Sequence, residues 1–410
     1  MKNVVILGAG PAGLTAGLEL LRKSNSEYNV TVLEASERVG GISATVNCSG
    51  NRMDLGGHRF FSKDERVNEW WSSLLKMQGA PSFDDKLLHR EKALSENGPD
   101  PEAEDNVMLL RQRVSRIYYL EKFFDYPVSL KAQTLINLGF VRTMKAGFSY
   151  LHSIMFKKDE SSLENFYINR FGKELYSMFF EGYTEKLWGR HPSEISADWG
   201  AQRVKGISIK EVLKNALSKG KKSDEASLIE EFKYPKFGPG QLWETAAAEL
   251  EKLGGKIIFN AEVNRINVEN GKITSVTAGD KEYSGDIFIS SMPIKDLVNS
   301  FEQSLVSNEV KDIANGLPYR DFVTVGLLVN RLEIKNKTDM KTVSNIVPDC
   351  WIYVQDDSVK LGRIQIFNNW SSYLVKDVEN TVWLGLEYFC TEGDDFWNMS
   401  ESACVDFAVT

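Results

Sequence analysis

A glycine-rich turn close to the N-terminus constrains this chain more than any other feature. Gly8, Gly10 and Gly13 stand as G-A-G-P-A-G between a short β-branched run, Val4 to Leu7, and a segment, Leu14 to Lys23, whose Leu14, Leu18 and Leu21 have helical spacing. A second apolar run, Val30 to Leu33, ends at Glu34. Strand, tight turn, helix and strand make a βαβ unit of about 30 residues, which commits the chain to a parallel sheet. Side chains in place of the glycines would block the turn and the close approach of a pyrophosphate. With Pro11 and Ala12 opening the helix, its free N–H groups and positive dipole end face the phosphates. Glu34, 21 residues after Gly13, is suitably placed to accept hydrogen bonds from a ribose diol. The segment reads as a dinucleotide site.

The rest of the chain is long enough for two or three interlocked domains at 410 residues, and its 42% hydrophobic and 26% charged content excludes a disordered or fibrous protein. A formal charge of -8 gives no basic field for a nucleic-acid backbone, so no nucleic-acid partner is expected. Cys48, Cys350, Cys390 and Cys404 lack CxxC spacing and His partners, so no metal site is expected and all four read as buried free thiols. No run reaches the ~18 apolar residues of a membrane span. The nearest candidate, Ala146 to Phe156, is interrupted by Ser149, His152 and Ser153 and reads as a buried or surface-lying helix. A cytoplasmic location is expected.

Along the chain, the acidic, Pro- and Gly-bearing stretch from Ser95 to Asn106 reads as a solvated loop without chemistry. Leu130 to about Leu217 is helix-like, with Ser161 and Glu164 as a capping box, and Lys219, Lys221 and Lys222 mark an exposed connection. From Tyr234 an α/β pattern returns: a helix from Leu242 to Leu253 stopped by Gly254 and Gly255, then strands at Lys256 to Phe259, Glu262 to Val268, Lys272 to Ala278 and Asp286 to Ser290. Runs at Val323 to Val329, Trp351 to Val354, Gly362 to Phe367 and Val382 to Phe389 suggest an antiparallel sheet. The residues Arg113, Arg116, Tyr126, Trp188, Arg203, Tyr353, Arg363 and Trp370 lie in segments that the topology could gather. Arginine pairs suit bidentate capture of a diphosphate, and aromatic faces suit a nucleobase or sugar ring. Taken singly, each of these residues has a structural reading as core aromatic or salt-bridged arginine.

The context of the turn names the dinucleotide. Glu34-Ala35-Ser-Glu-Arg38-Val-Gly40-Gly41 followed by Asp54-Leu-Gly56-Gly57-His58 resembles the two-dinucleotide-fold flavoproteins that include amine oxidases, protoporphyrinogen oxidases and UDP-galactopyranose mutases. The resemblance implies FAD, with Arg38 and the Gly40-Gly41 pair near the pyrophosphate and an adenine contact at Val263. The later motifs, Gly56 to Ser62, Arg113-Val-Ser115, Tyr126-Pro127, Tyr183 to Trp188, Arg203-Val204, and Trp351 to Tyr353 through Arg363 to Trp370, look like those of the UDP-galactopyranose mutase family, eukaryotic-type branch. By that likeness His58 lies on the loop against the flavin, Arg203 and Arg363 grip the substrate diphosphate, Tyr126 and Tyr353 hydrogen-bond phosphate or sugar, and Arg113, Trp188 and Trp370 belong to the pocket.

The implied fold is α/β, a Rossmann-like two-dinucleotide-binding flavoprotein with a helical insertion and an antiparallel-sheet substrate domain. Residues 1–75 and 225–300 would form the FAD domain, 125–222 the helical domain, and 76–124 with 301–410 the sheet domain. The implied activity is ring contraction of UDP-galactopyranose to UDP-galactofuranose, in which the N5 of reduced FAD attacks the anomeric carbon. The product would serve cell-surface polysaccharide. Ser129, Thr184 and Trp370 stand where the family has glutamine, asparagine and usually tyrosine, which bears on the exact substrate. The chain ends at Thr410 within a helix expected from Ser400, where the group ordinarily continues to a glycine- and arginine-bearing segment at the FAD. That part of the site is expected to be missing. Two other readings stand beside the mutase: an FAD-dependent oxidoreductase of the amine oxidase or protoporphyrinogen oxidase type, and a flavin-less remnant.

Overall fold

The computed structural model describes residues 1–23, 27–126, 128, 132–203 and 231–410, the side chains of 132 and 201–203 excepted. The Lys219 to Lys222 connection and Ser129 lie outside the described residues. The chain forms two compact units, each assembled from discontinuous segments: 1–111, 233–318 and 371–376 in the first, 112–232, 319–370 and 377–410 in the second.

The first unit is built on a four-stranded parallel sheet in the order Lys256–Ile258, Tyr28–Leu33, Lys2–Leu7, Ile287–Ser290. Its central strand is apolar on both faces, as a doubly covered parallel strand must be. Val4 and Ile6 pack with Leu14, Leu18, Leu242, Ala246 and Leu250. Val5 and Leu7 pack with Val263, Ile266 and Val276. One face thus carries the helices Pro11–Lys23 and Gly240–Lys252, and the other carries a three-stranded antiparallel sheet of Val263–Glu269, Lys272–Ala278 and Lys281–Ser284. The two helices meet where Gly17 leaves room for Leu250, and Arg22 clamps Glu249 with two 2.8 Å hydrogen bonds.

The second unit holds a six-stranded sheet in the order Asp321–Val329, Val382–Cys390, Leu361–Ile366, Trp351–Val354, Ser115–Tyr119, Lys122–Asp125. It is mixed rather than antiparallel, because Trp351–Val354 runs parallel to Ser115–Tyr119. Those two strands are joined by a long excursion, which frees their relative direction from the hairpin constraint. The helices between residues 132 and 203 share a core with this sheet: Leu138 and Phe179 pack on Ile117 and Phe124. For that reason the helical and sheet regions, read from sequence as separate domains, form one unit. Residues 76–111 fall in the first unit, where Lys76–Met77 pairs with Val107–Gln112.

Three local expectations are corrected. The helix Leu163–Phe171 is capped by Ser162, whose hydroxyl accepts from the Asn165 N–H, while the Ser161 carbonyl is engaged by Ala197. Cys48 is exposed, on a hairpin edge; the other three cysteines are buried thiols. The loop after Ser95 is pinned rather than merely solvated, with Asp105 paired to Lys236 at 2.7 Å and Glu102 bonded to the Tyr373 hydroxyl. Among the described residues, no helix is long and apolar enough to cross a membrane, and no group of His, Cys, Asp or Glu is arranged to hold a metal ion.

Candidate functional site

In the first unit the strand Lys2–Leu7 delivers the chain to Gly8 at φ +101°, a conformation that side-chain-bearing residues rarely adopt. The turn is tight enough that a Cβ at Gly13 would stand 1.9 Å from the Gly8 carbonyl oxygen, whereas a Cβ at Gly10 would meet nothing within 4 Å. One side of the turn is therefore closed by its own backbone and the other is open. Pro11 begins the helix, and its first turn, with Ala12 and Gly13, carries no acidic residue, leaving the positive helix end unneutralised. Gly40 and Gly41 come against this turn: the Gly40 N–H donates to the Ala9 carbonyl at 2.9 Å, and Gly41 abuts Gly10.

Glu34 lies at the end of the neighbouring strand. Its Oε2 accepts from the Ala9 N–H at 2.7 Å and its Oε1 from the Ser36 N–H at 2.9 Å. The Ser36 hydroxyl also donates to Oε1 at 2.8 Å; a carboxylate has about four lone-pair positions, so both oxygens are oriented and Oε2 can still accept from a ribose hydroxyl. Ala35 is exposed beside it. Arg38, on the same loop, is paired with the adjacent Glu37 at 2.7 Å, a surface contact readily exchanged for a phosphate. The Ala261 N–H donates to the Glu34 carbonyl, which draws Val263 into the same end of the sheet. These residues fit a dinucleotide: an open, phosphate-ready turn, an oriented acid one strand away, and a backbone return beside it.

The Gly56-Gly57-His58 loop leaves the hairpin formed by Thr45–Cys48 and Asn51–Asp54. His58 Nδ1 lies 2.6 Å from the Gly56 carbonyl. A carbonyl only accepts, so Nδ1 carries the hydrogen and Nε2 is left as an acceptor. Burial holds the ring below the ordinary imidazole range, so it is neutral at neutral pH. At the base of this loop is a residue that sequence reading passed over except as part of a motif. Asp54 is fully buried, accepts from the Thr45 hydroxyl at 2.9 Å and is bonded to the Tyr234 hydroxyl. Burial pushes its carboxyl up to about 7 against the opposing effect of those two hydroxyls. Gly238, at φ +94°, passes so close that a Cβ would lie 2.6 Å from the Asp54 carboxylate.

In the second unit the strands Trp351–Val354 and Leu361–Ile366 bring several of the other residues together. Tyr353 packs against Tyr126 with ring centroids 4.5 Å apart and planes tilted by 32°, and meets the edge of Tyr183 at 5.5 Å. The Arg113 guanidinium stands over the Tyr126 ring at 5.5 Å. Arg363 lies over both Trp351 (4.5 Å) and Phe389 (4.8 Å), and its Nε donates to Glu387 at 2.5 Å. Glu387 is fully buried and also accepts from Gln365 at 2.6 Å. Burial raises its carboxyl, and Arg363 and Gln365 only partly offset that. Tyr183 is held well above the ordinary phenol range by burial, and its buried hydroxyl has no hydrogen-bond partner among the described residues.

Other residues fall elsewhere. Trp188 ends the helix Gly182–Trp188, half-exposed, with its ring against Trp199 at 5.0 Å. Arg203 ends the helix Ala197–Arg203, and its side chain is outside the described residues. Trp370 is fully buried, donates its indole N–H to the Cys350 carbonyl at 2.8 Å and packs on Trp351. It supports Trp351 from behind instead of presenting a face. Arg116 is committed to the buried Asp349, with contacts of 2.9 and 2.5 Å. Glu387 was missed by sequence reading; its signal was a lone carboxylate inside the apolar run Val382–Cys390.

The sequence pattern of the family described as "Flavin containing amine oxidoreductase" matches residues 11–408. The chain belongs to this family. The cofactor that membership implies is FAD, in keeping with the fit of the glycine turn and Glu34. A probable UDP-galactopyranose mutase of Klebsiella pneumoniae is 25% identical over 205 residues, 48% of this chain and 43% of that protein. A 1-hydroxycarotenoid 3,4-desaturase of Flavobacterium sp. (strain P99-3) is 21% identical over 315 residues, 72% of this chain and 57% of that protein. The matches thus take in about half the length of these relatives. Among solved structures, reduced UDP-galactopyranose mutase has the same fold, with a TM-score of 0.76 at 20% identity over 100% of this chain and 78% of that one.

Proposed function

We propose that this flavin-family chain is a sugar-nucleotide mutase converting UDP-galactopyranose, or a close analogue, to UDP-galactofuranose in the cytoplasm, for cell-surface polysaccharide. The observation that carries the reading is the arginine and tyrosine cluster of the second unit, where Arg363 is fixed over Trp351 beside Tyr353, Tyr126 and Tyr183, whose buried hydroxyl has no partner among the described residues. Such a site is rich in donors for a diphosphate and poor in groups for general acid and base work.

Bound FAD in its reduced form would supply the nucleophilic nitrogen. The chain's own residues hold and neutralise. Gly8, Gly10, Gly13, Gly40, Gly41 and Arg38 would bind the FAD pyrophosphate, Glu34 and Ala35 the ribose, Val263 the adenine, and Gly56, Gly57 and His58 would form the loop against its ring. Arg363 and Arg203 would neutralise the departing UDP, Tyr126 and Tyr353 would orient phosphate or sugar, and Arg113 and Trp188 would line the pocket.

Incubation with UDP-galactopyranose and chemically reduced FAD, followed by chromatography of the sugar nucleotides, tests this directly. A furanose product supports the mutase. Its absence, with oxygen consumed in the presence of an amine or porphyrinogen, supports the second reading, an FAD-dependent oxidoreductase, which the family match favours. Arg363→Ala and Arg203→Ala should each weaken UDP binding, and unchanged affinity in both would refute the diphosphate role.

A further inference from the structure

The helix Phe140–Met155 is amphipathic in the reverse sense to a helix of a water-soluble core. Its buried residues are the small Ala146 and Ser153, and Gly172 packs so close that a Cβ there would lie 2.7 Å from the Tyr150 nitrogen. The large side chains face outward instead: Phe140, Val141, Phe148, Leu151 and Met155 are 55–79% exposed. At helical spacing these form one continuous stripe, an arrangement that a soluble surface ordinarily avoids.

Along the helix itself the charge is one-signed, with Asp159 and Glu160 coming only beyond its end and Glu174 beside Ser149 on the neighbouring element. No Asp or Glu occurs between Tyr126 and Lys158, although the whole chain carries a formal charge of -8. Lys145 and His152 fall along one border of the stripe, Arg142 lies next to Lys145 on the helical surface, and Lys158 follows its C-terminal end, all of them exposed, while the neighbouring Lys157 donates to the Asn169 carbonyl. Long basic side chains at the edge of an apolar stripe can lay their stems on it and lift their charges to a layer of anionic headgroups. Two copies of the helix face to face would oppose like charges, whereas an anionic lipid surface complements both the apolar stripe and its basic border. We propose that the helix Phe140–Met155 docks the protein on an anionic bilayer, lying flat in the boundary between headgroups and acyl chains.

The test is co-sedimentation of the full chain with vesicles of mixed phosphatidylglycerol and phosphatidylcholine against vesicles of phosphatidylcholine alone. The expected result is pelleting with the anionic vesicles, reduced when salt is raised from about 0.1 to 0.5 M. Phe148→Glu, at an exposed position that leaves the fold intact by circular dichroism, should lower binding at least about tenfold. Lys145→Glu should lower it on anionic vesicles only. Protein that stays in the supernatant, equal binding to both vesicle types, or Phe148→Glu pelleting like the unaltered chain would each overturn the proposal. So would a dimer in light scattering that Phe148→Glu dissociates while lipid binding is absent.

Discussion

Replacing Arg363 with Met keeps much of the side-chain volume and removes the guanidinium, so that Glu387, fully buried, keeps only Gln365 as a partner. Removing one member of a buried pair costs about 3–5 kcal/mol, because the remaining charge is left without compensation. For a unit of this size about 2–4 °C of melting temperature corresponds to each kcal/mol, so a fall of about 10 °C is expected. The cost should depend on pH in a definite sense. The carboxyl of Glu387 is already raised by burial, and loss of Arg363 raises it further. A raised carboxyl contributes stability that is fully present below its unfolded value near 4.3 and is lost as pH rises through the folded value. Arg363→Met should therefore be far more damaging at pH 8 than at pH 5. Arg363→Met with Glu387→Gln removes the stranded charge and should recover most of the loss. Melting curves by tryptophan fluorescence at both pH values, for the two single variants and the double variant, complete the cycle. An equal loss at pH 5 and pH 8, or a double variant as unstable as Arg363→Met, would refute the reasoning.

Gly13→Ala places a Cβ against the Gly8 carbonyl, so the variant should lose about 1–3 kcal/mol and purify with at least about tenfold less bound flavin, read from the flavin absorbance. Asp54, raised to about 7, stabilises the protonated fold below the normal carboxyl range, and this contribution is lost as pH climbs through 7. Asp54→Asn should flatten the melting temperature across that window; a profile that keeps its slope would assign the pH dependence elsewhere. Trp370→Ala should cost about 3–5 kcal/mol by emptying a fully buried site and losing the bond to Cys350. The milder Trp370→Phe should leave UDP affinity unchanged, as titration calorimetry can check.

The parallel sheet was legible because glycine spacing, a short β-branched apolar run and a helical run all pointed to the same unit, and each responds to local backbone geometry. The strands of the second sheet were legible one by one, but not the parallel register of Trp351–Val354 on Ser115–Tyr119, which depends on contacts more than 200 residues apart. Side-chain roles were less visible still. Trp370 and Tyr353 are both aromatic residues in apolar surroundings, and only the fold separates the one sealed in the core from the one packed against Tyr126. Asp54 and Glu387 were hidden for a related reason: a carboxylate on a strand is ambiguous until its hydroxyl or guanidinium partner, brought from another strand, is known.

The strand Lys2–Leu7 pairs on one side with Ile287–Ser290, so the central sheet of the first unit lacks its last strand until residue 290 has been made, and its opposite edge, Lys256–Ile258, also comes late. During synthesis its apolar faces and unpaired backbone groups must wait on the ribosome, open to wrong partners, while the intervening residues emerge. Closing so long a loop is entropically slow. Refolding from denaturant should accordingly be slow and prone to aggregation, and recovery should improve with a chaperone that holds early chains apart. The same wiring means that an N-terminal fragment cut before residue 287 cannot be a self-sufficient cofactor domain, however complete its glycine turn looks.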